Sequence, residues 1–391
     1  MKILVFTQQL VVGGSLVNAI ELAAALRDFH GFEILFFATP GPLLKLVEEK
    51  GLRFLAAPEP RLVPSFARAQ ALREAVRREA PDLIHVWDCW QCLDAYYAVH
   101  LLMRVPMVVT DMMMSLTRLL PKGLPMTFGT PELVDQALAS GRRQVELLLP
   151  PVDIHTNAPF AVDERPFRER YGIEQSDITL VTVSRLADQM KGESLFRTLD
   201  VVRTLGRHLP LRFVIAGDGS AREKLQVLAD NINRELRRPV VVFTGELLDP
   251  RPAYAVADIV MGMGGSALRG MAFGKPVVIV GEGGFSSVLT PETAPFHYYR
   301  GIYGVGNCNS DNSRLAADIR GLAEHPEERR ALGKFSREFV VSHFSLEAVS
   351  ARFADLCRRA AVEMRPLHLA AADGFRTAAL YLKERRFLWR W

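Results

Sequence analysis

Short apolar runs alternate with longer amphipathic ones along this chain. Lys2 to Thr7 has the length of a buried strand, Gly13-Gly14 breaks it, and Leu16 to Arg27 carries apolar residues at helical spacing. Glu33 to Ala38 predicts the next strand, Leu43 to Lys50 a helix and Phe66 to Glu79 a basic amphipathic helix. Leu83 to Trp87 and Met107 to Thr110 read as buried strands, each introduced by a proline, Pro81 and Pro106. Alternation of this kind predicts parallel βαβ units.

The second half repeats the pattern. Thr179 to Ser184, Leu211 to Ala216, Val240 to Thr244, Ile259 to Val260 and Val277 to Val280 are strand-like, with helices within Gly192 to His208, Arg222 to Arg237 and Ser266 to Phe273. Pro150-Pro151-Val152-Asp153 and the stretch to Pro166 read as a linker, because prolines remove helical options and donors. The expected fold is therefore α/β, with an N-terminal Rossmann-like domain over residues 1–155 and a second over 166–345. Residues 346–391 supply a C-terminal helix and a tail in which Arg376, Lys383, Arg385, Arg386 and Arg390 interleave with Phe375, Tyr381, Phe387, Trp389 and Trp391.

Composition narrows the class. With 391 residues, 49% hydrophobic and 24% charged, the chain suits two folded domains and excludes extensive disorder. Its 48 basic residues are nearly matched by 44 acidic ones, which argues against a nucleic-acid partner, while the net charge of +4 is compatible with anionic substrates. No apolar stretch approaches the ~20 residues that cross a bilayer, and the first apolar run leads into glycines instead of a cleavage site. A cytoplasmic protein is expected. Cys89-Trp90-Gln91-Cys92 has redox spacing, but without a second pair it reads as a coincidence inside a packed unit.

Two turns carry chemistry. Val12-Gly13-Gly14-Ser15 joins a strand to a helix, an arrangement that leaves amide N–H groups open to phosphate, though a glycine pair there is often only a tight connection. Thr182-Val183-Ser184-Arg185-Leu186, followed by Lys191-Gly192-Glu193, brings two cations to a strand end. Arg185 offers a bidentate fork and Lys191 a point charge, which suits a diphosphate, whereas either alone reads equally as a solvated surface charge.

The ordered series Ser184-Arg185-Leu186, Lys191-Gly192, Phe213-Val214-Ile215-Ala216-Gly217-Asp218-Gly219, Val242-Phe243-Thr244-Gly245, Tyr254, Ala257-Asp258 and Met271-Ala272-Phe273-Gly274-Lys275-Pro276-Val277 closely resembles the donor domain of family-four glycosyltransferases. Gly13-Gly14, Pro81-Asp82-Leu83-Ile84-His85 and Pro106-Met107-Val108-Val109-Thr110 extend the likeness over roughly residues 1–360. The resemblance implies the GT-B fold, with two Rossmann-like domains facing an interdomain cleft and the C-terminal helix crossing back to the first. It implies that Arg185 and Lys191 bind the donor diphosphate and stabilise the leaving nucleotide, with Gly13 and Gly14 approaching the phosphates. Gly217 and Gly264-Gly265-Ser266 fall in the donor site, and Thr244-Gly245-Glu246 lies where the nucleotide base packs.

The chain departs from the family at its paired glutamates. Arg269 stands where the second is expected and Met261 eight residues earlier, so both carboxylates are missing. Arginine cannot accept the hydrogen bonds of ribose hydroxyls. Either another acceptor such as Glu282 has taken over, or the donor is bound differently, or catalysis is lost. After Met107 to Thr110, Asp111 and Met112 replace the family's histidine, and Asp111 reads as a catalytic carboxylate or a capping residue. His85 reads as a contact to substrate or as a structural strand-end histidine.

The expected function is transfer of a sugar from a nucleotide-sugar donor to a hydroxyl acceptor, whether glycan, lipid-linked or small molecule. Retention is expected from the resemblance. No Asp-x-Asp motif occurs, so neither a metal nor another cofactor is expected. The alternative is a non-catalytic nucleotide-sugar-binding or partner-activating module; an epimerase is disfavoured for want of paired carboxylates. The basic, aromatic tail suggests peripheral contact with anionic membranes, or packing on the first domain.

Overall fold

The computed structural model of the chain describes residues 1–308 and 311–388. It divides into two compact units, Met1–Pro151 with the described residues from Leu346 onward, and Val152–Ser345. The expected linker reaching to residue 165 is instead built into the second unit. Val152 N–H donates to the Phe344 carbonyl at 2.8 Å, and the Arg337 guanidinium donates to the carbonyls of Ile154 and Asn157 at 2.7 and 2.8 Å. The prolines there shape a packed segment.

The first unit holds a parallel sheet of seven strands: β1 (Lys2–Phe6), β2 (Glu33–Ala38), β3 (Arg53–Ala56), β4 (Leu83–Trp87), β5 (Met107–Asp111), β6 (Met126–Phe128) and β7 (Val145–Leu147). Their order is β3-β2-β1-β4-β5-β6-β7, with Ile3 opposite both Ile34 and Leu83. Central strands covered on both faces are apolar without alternation, as β1 and β4 are. The helix Gly14–His30 follows β1 and ends at Gly31, whose φ of 66° lets its N–H reach the Arg27 carbonyl. Ser65 caps Phe66–Glu79 by accepting from the Arg68 N–H, and Thr130 caps Pro131–Ala139 by accepting from Leu133.

The second unit holds β8 (Ile178–Val183), β9 (Leu211–Ala216), β10 (Val241–Gly245), β11 (Ile259–Gly262), β12 (Val277–Val280) and β13 (Ser286–Val288), ordered β10-β9-β8-β11-β12-β13. All pairs are parallel except β12 with the edge strand β13.

Several elements escape the sequence pattern. The helix Cys89–Ala95 and the π-helical turn Tyr96–Leu101 that continues it are buried on most sides, so no polar stripe marks them. β6 and β7, three residues each, are too short to show a period. The long helix Leu367–Leu388 lays Ala370, Gly374, Thr377 and Tyr381 against the first unit, with Gly374 seated on Tyr96 and Tyr97 and the Tyr381 hydroxyl donating to the Val63 carbonyl at 2.9 Å. Packing therefore accounts for Tyr381. Phe375 and Leu382 remain exposed, and the tail's Trp389, Arg390 and Trp391 lie outside the described residues. No helix among the described residues is long and apolar enough to cross a membrane.

Candidate active site

A parallel sheet delivers its loops to one edge, and the crevice forms where successive crossovers leave a strand in opposite directions. In the second unit that strand is β8, flanked by β9 and β11. The loop after β8 carries Arg185, exposed, and the π-helical turn Asp188–Gly192 carries Lys191, partly buried. Neither side chain forms a hydrogen bond or ion pair with a described residue. Burial first, and then the Arg185 charge, pull the Lys191 pKa below the usual lysine range. The structure thus brings the two predicted cations together and leaves both available to an anion.

The neighbouring glycines hold that loop in place. Leu186 N–H donates to the Asp218 carbonyl at 2.8 Å and Ser184 N–H to Ala216 at 2.9 Å. Gly217, with φ of 144°, runs so close that a Cβ would lie 1.8 Å from the Ser184 carbonyl oxygen. The close backbone approach accounts for glycine at 217.

After β11, the helix Gly264–Ala272 starts with Gly264 at φ 52°, no acidic residue in its first turn and no side-chain cap. Gly264 N–H donates to the Ile302 carbonyl at 2.9 Å and Ser266 donates its hydroxyl to the Met263 carbonyl, so no side chain caps the N–H groups of Gly265 and Ser266. Arg269 lies one turn on, its guanidinium reaching the Gly265 carbonyl at 3.4 Å and its charge felt by the buried Tyr254 hydroxyl. Met261 is packed into the core of this unit, so its position offers substrate nothing.

After β12, Gly281-Glu282-Gly283-Gly284 forms a turn pinned by residues 304–308. Glu282 N–H donates to Gly304 and its carbonyl accepts from Gly306. Its carboxylate also accepts the Tyr303 hydroxyl, and burial followed by this charge pushes the tyrosine up to about 12. A carboxylate has lone pairs for further partners, so Glu282 keeps capacity for a sugar hydroxyl. At the end of β10, Thr244 donates to the Gly245 carbonyl at 2.8 Å, Gly245 adopts φ 76° with open space where a side chain would be, and Glu246 is exposed. Sequence reasoning missed Glu193, whose Oε2 accepts the Gly283 N–H at 3.0 Å and ties the helix Glu193–Leu205 to this turn. Its place beside Lys191-Gly192 was visible; its partner ninety residues away was not.

In the first unit the strand between opposed crossovers is β1, flanked by β2 and β4. Gly13 caps the helix Gly14–His30 without a side-chain bond, and nothing lies within 4 Å of where a Gly14 Cβ would project. Both glycines leave the helix start open. Among the candidate side chains His85 is corrected. It is 1% exposed within β4, shares a 2.7 Å hydrogen bond with the Thr110 hydroxyl and stacks at 4.4 Å on Phe353. Burial lowers its pKa to about 3, so it is a neutral core residue.

Asp111 is also 1% exposed. Its Oδ1 accepts from Met113 N–H at 3.0 Å in an Asx turn, while Oδ2 has no partner; burial raises its pKa. Neither a helix cap nor an open catalytic group, it lies beside Asp88, the more accessible carboxylate, which follows β4. Cys89 and Cys92 are free and buried, and burial pushes Cys89 up to about 12, which leaves the pair without redox reactivity. A cavity of about 900 Å³ in this unit opens at the opposite sheet edge, beside Met107 and Pro125, away from these groups.

Residues 177–324 match the family model described as glycosyl transferases group 1, and residues 12–111 match glycosyltransferase family 4. The chain is a GT-B glycosyltransferase of the family-four kind. Its fold is shared with a glycosyltransferase from Rickettsia africae, at TM-score 0.73 and 15% identity over 93% of this chain and 99% of that one. Anabaena Alr3699/HepE in complex with UDP-glucose gives 0.72 and 15% over 92% and 100%, and WaaG, a glycosyltransferase involved in lipopolysaccharide biosynthesis, gives 0.64 and 12% over 91% and 99%. No curated protein matches it in sequence. The group 1 match runs from β8 past β13 to the helix Ser313–Glu324 and so contains Arg185, Lys191, Arg269 and Glu282; the family 4 match, from Val12 to Asp111, contains Gly13 and Gly14.

Proposed function

We propose that this glycosyltransferase moves a sugar from a nucleotide sugar to a hydroxyl acceptor, with the donor diphosphate held by Arg185 and Lys191. The observation that carries the reading is the pair of unpartnered cations at the β8 crevice, one of them desolvated enough to lose proton affinity. Helix N–H groups at Gly265-Ser266 add to the anion field, Gly245 leaves a flat approach for the base, and Glu282 supplies a hydroxyl acceptor in place of the family glutamates. HepE, solved with UDP-glucose, supports that nucleotide sugar as the first donor to test.

The reaction is metal-independent in this reading, since side-chain cations and helix N–H groups meet the phosphate charge. Among the described residues no cluster of three His, Cys, Asp or Glu side chains could hold a metal ion. UDP release from UDP-glucose should survive EDTA nearly unchanged; a loss restored by magnesium or manganese contradicts this. Retention at the anomeric carbon is proposed from the family resemblance, and NMR of the product anomer tests it. Arg269 favours a second reading, a nucleotide-sugar-binding module. UDP binding without any UDP release or sugar transfer would select that module.

Membrane contact is proposed for the outer face of Leu367–Leu388, where Phe375, Leu382 and Lys383 are exposed. Flotation with phosphatidylglycerol vesicles should be reduced by deleting residues 382–391, a truncation that spares the docked Thr377 and Tyr381. Unchanged flotation rejects the contact.

A further inference from the structure

We propose that the cavity at the amino edge of the first sheet binds an anionic amphiphile, a phosphate monoester whose apolar part lies along the cavity wall. The cavity, of about 900 Å³, lies wholly within the first unit. The loops entering β6 and β7 form one side of it and residues 360–376 the other. Its volume falls within the ~300 to 1,000 Å³ of small-molecule sites. Gly13 and Gly14 follow the carboxyl end of β1, so the cavity is a separate place on the same sheet.

Four cations line it, Lys122, Arg143, Arg365 and Arg376, against two carboxylates, Asp373 and Glu363. Asp373 anchors two of the cations. Its side chain is 7% exposed, its Oδ1 accepts Arg376 Nε and Nη2 at 3.0 and 2.9 Å, and its Oδ2 accepts the Gly123 N–H at 2.7 Å and Arg365 Nη1 at 3.4 Å. The carboxylate is thereby used up, while Arg365 keeps Nε and Nη2 and Arg376 keeps Nη1 without an acceptor among the described residues. The two side chains stay 38% and 33% exposed, within reach of a ligand.

Gly123 makes room for this arrangement. A Cβ there would stand 1.5 Å from Arg365 Nη1, so the guanidinium occupies the space that a side chain would take. Arg143 is exposed and forms no hydrogen bond or ion pair with a described residue, and Lys122 donates to the Ser140 carbonyl. Met107, Leu124, Met364 and Leu369 supply an apolar wall. A bare anion would leave that wall in water, and an apolar ligand would strip water from the guanidinium groups without replacing its hydrogen bonds. A ligand with both parts satisfies both surfaces, and guanidinium forks suit phosphate oxygens.

Calorimetry on the full chain with hexyl phosphate, inorganic phosphate and 1-hexanol tests the assignment. Hexyl phosphate should bind at least tenfold more tightly than either of the others, since each half of the molecule adds to the contact. Arg143→Glu should weaken it by about tenfold or more. Gly123→Ala should weaken it as well, because the new methyl displaces the Arg365 guanidinium. Neither change should shift the thermal midpoint: Arg143 has no partner to lose, and residue 123 keeps its N–H bond to Asp373 with φ outside the left-handed region. The Arg185→Ala/Lys191→Ala double variant should bind hexyl phosphate as wild type does, which makes the result independent of the transferase reading. Flotation with phosphatidic acid vesicles separates the sources of the ester: flotation lost in Arg143→Glu identifies a lipid headgroup, and flotation indifferent to Arg143→Glu beside intact hexyl phosphate binding identifies a soluble ester. Absence of hexyl phosphate binding overturns the proposal, as does equal binding of inorganic phosphate or 1-hexanol. Binding that survives Arg143→Glu but is lost in the double variant places the anion at the β8 loop and also overturns it.

Discussion

Alanine at both Arg185 and Lys191 should abolish measurable sugar transfer and reduce UDP binding below detection, with the fold intact by circular dichroism. Each single change removes a charge-assisted contact worth about 1.5 to 3 kcal/mol, so each should weaken UDP binding by roughly 10- to 150-fold in calorimetry. Folding should not suffer, because neither side chain has a protein partner to lose. Lys191 adds a pH signature. Its pKa is lowered by burial and by Arg185, so UDP affinity should begin to fall on the alkaline side before ordinary lysines titrate. Lys191→Arg keeps the charge and should postpone that fall. Unchanged UDP affinity in both alanine variants would remove the basis for placing the diphosphate at this loop.

Gly217→Ala should be among the most damaging single methyl additions in the molecule. Its Cβ would stand 1.8 Å from the Ser184 carbonyl oxygen, and both partners are backbone, so no rotamer relieves the clash. Residue 217 also holds φ at 144°, which alanine adopts only under strain. A loss of about 3 to 5 kcal/mol is expected in denaturant unfolding. Donor binding should go with it, because the strand end that must move is the one that delivers Arg185. Gly14→Ala is the contrast, since nothing lies within 4 Å of its Cβ and alanine favours helix. Equal stability of Gly217→Ala and wild type would show that the loop after β8 yields easily, and the account of how Arg185 is positioned would fail.

Long segments were legible because burial writes a period into them. β2, β4, β9 and β12 and the helix Phe66–Glu79 fall where the apolar pattern puts them, since a strand covered on both faces needs an unbroken apolar run and a one-sided helix needs a stripe. Arg185 and Lys191 were legible for a related reason: a strand end followed by a short turn fixes where the next few side chains emerge. His85 stayed open between two readings on the same logic, because a strand-end histidine can face substrate or core. Only Phe353, from a helix 268 positions later in the chain, makes it core.

The sequence by itself determined two parallel α/β units, the family and the cationic turn, because these depend on local periodicity and short spacings. Tertiary structure decided the rest. Glu193 gained its role from Gly283, and Gly217 from Ser184. Each depends on a partner from another crossover of the sheet. Desolvation and strain arise only when those crossovers are packed together, and one chain's sequence carries no local mark of them.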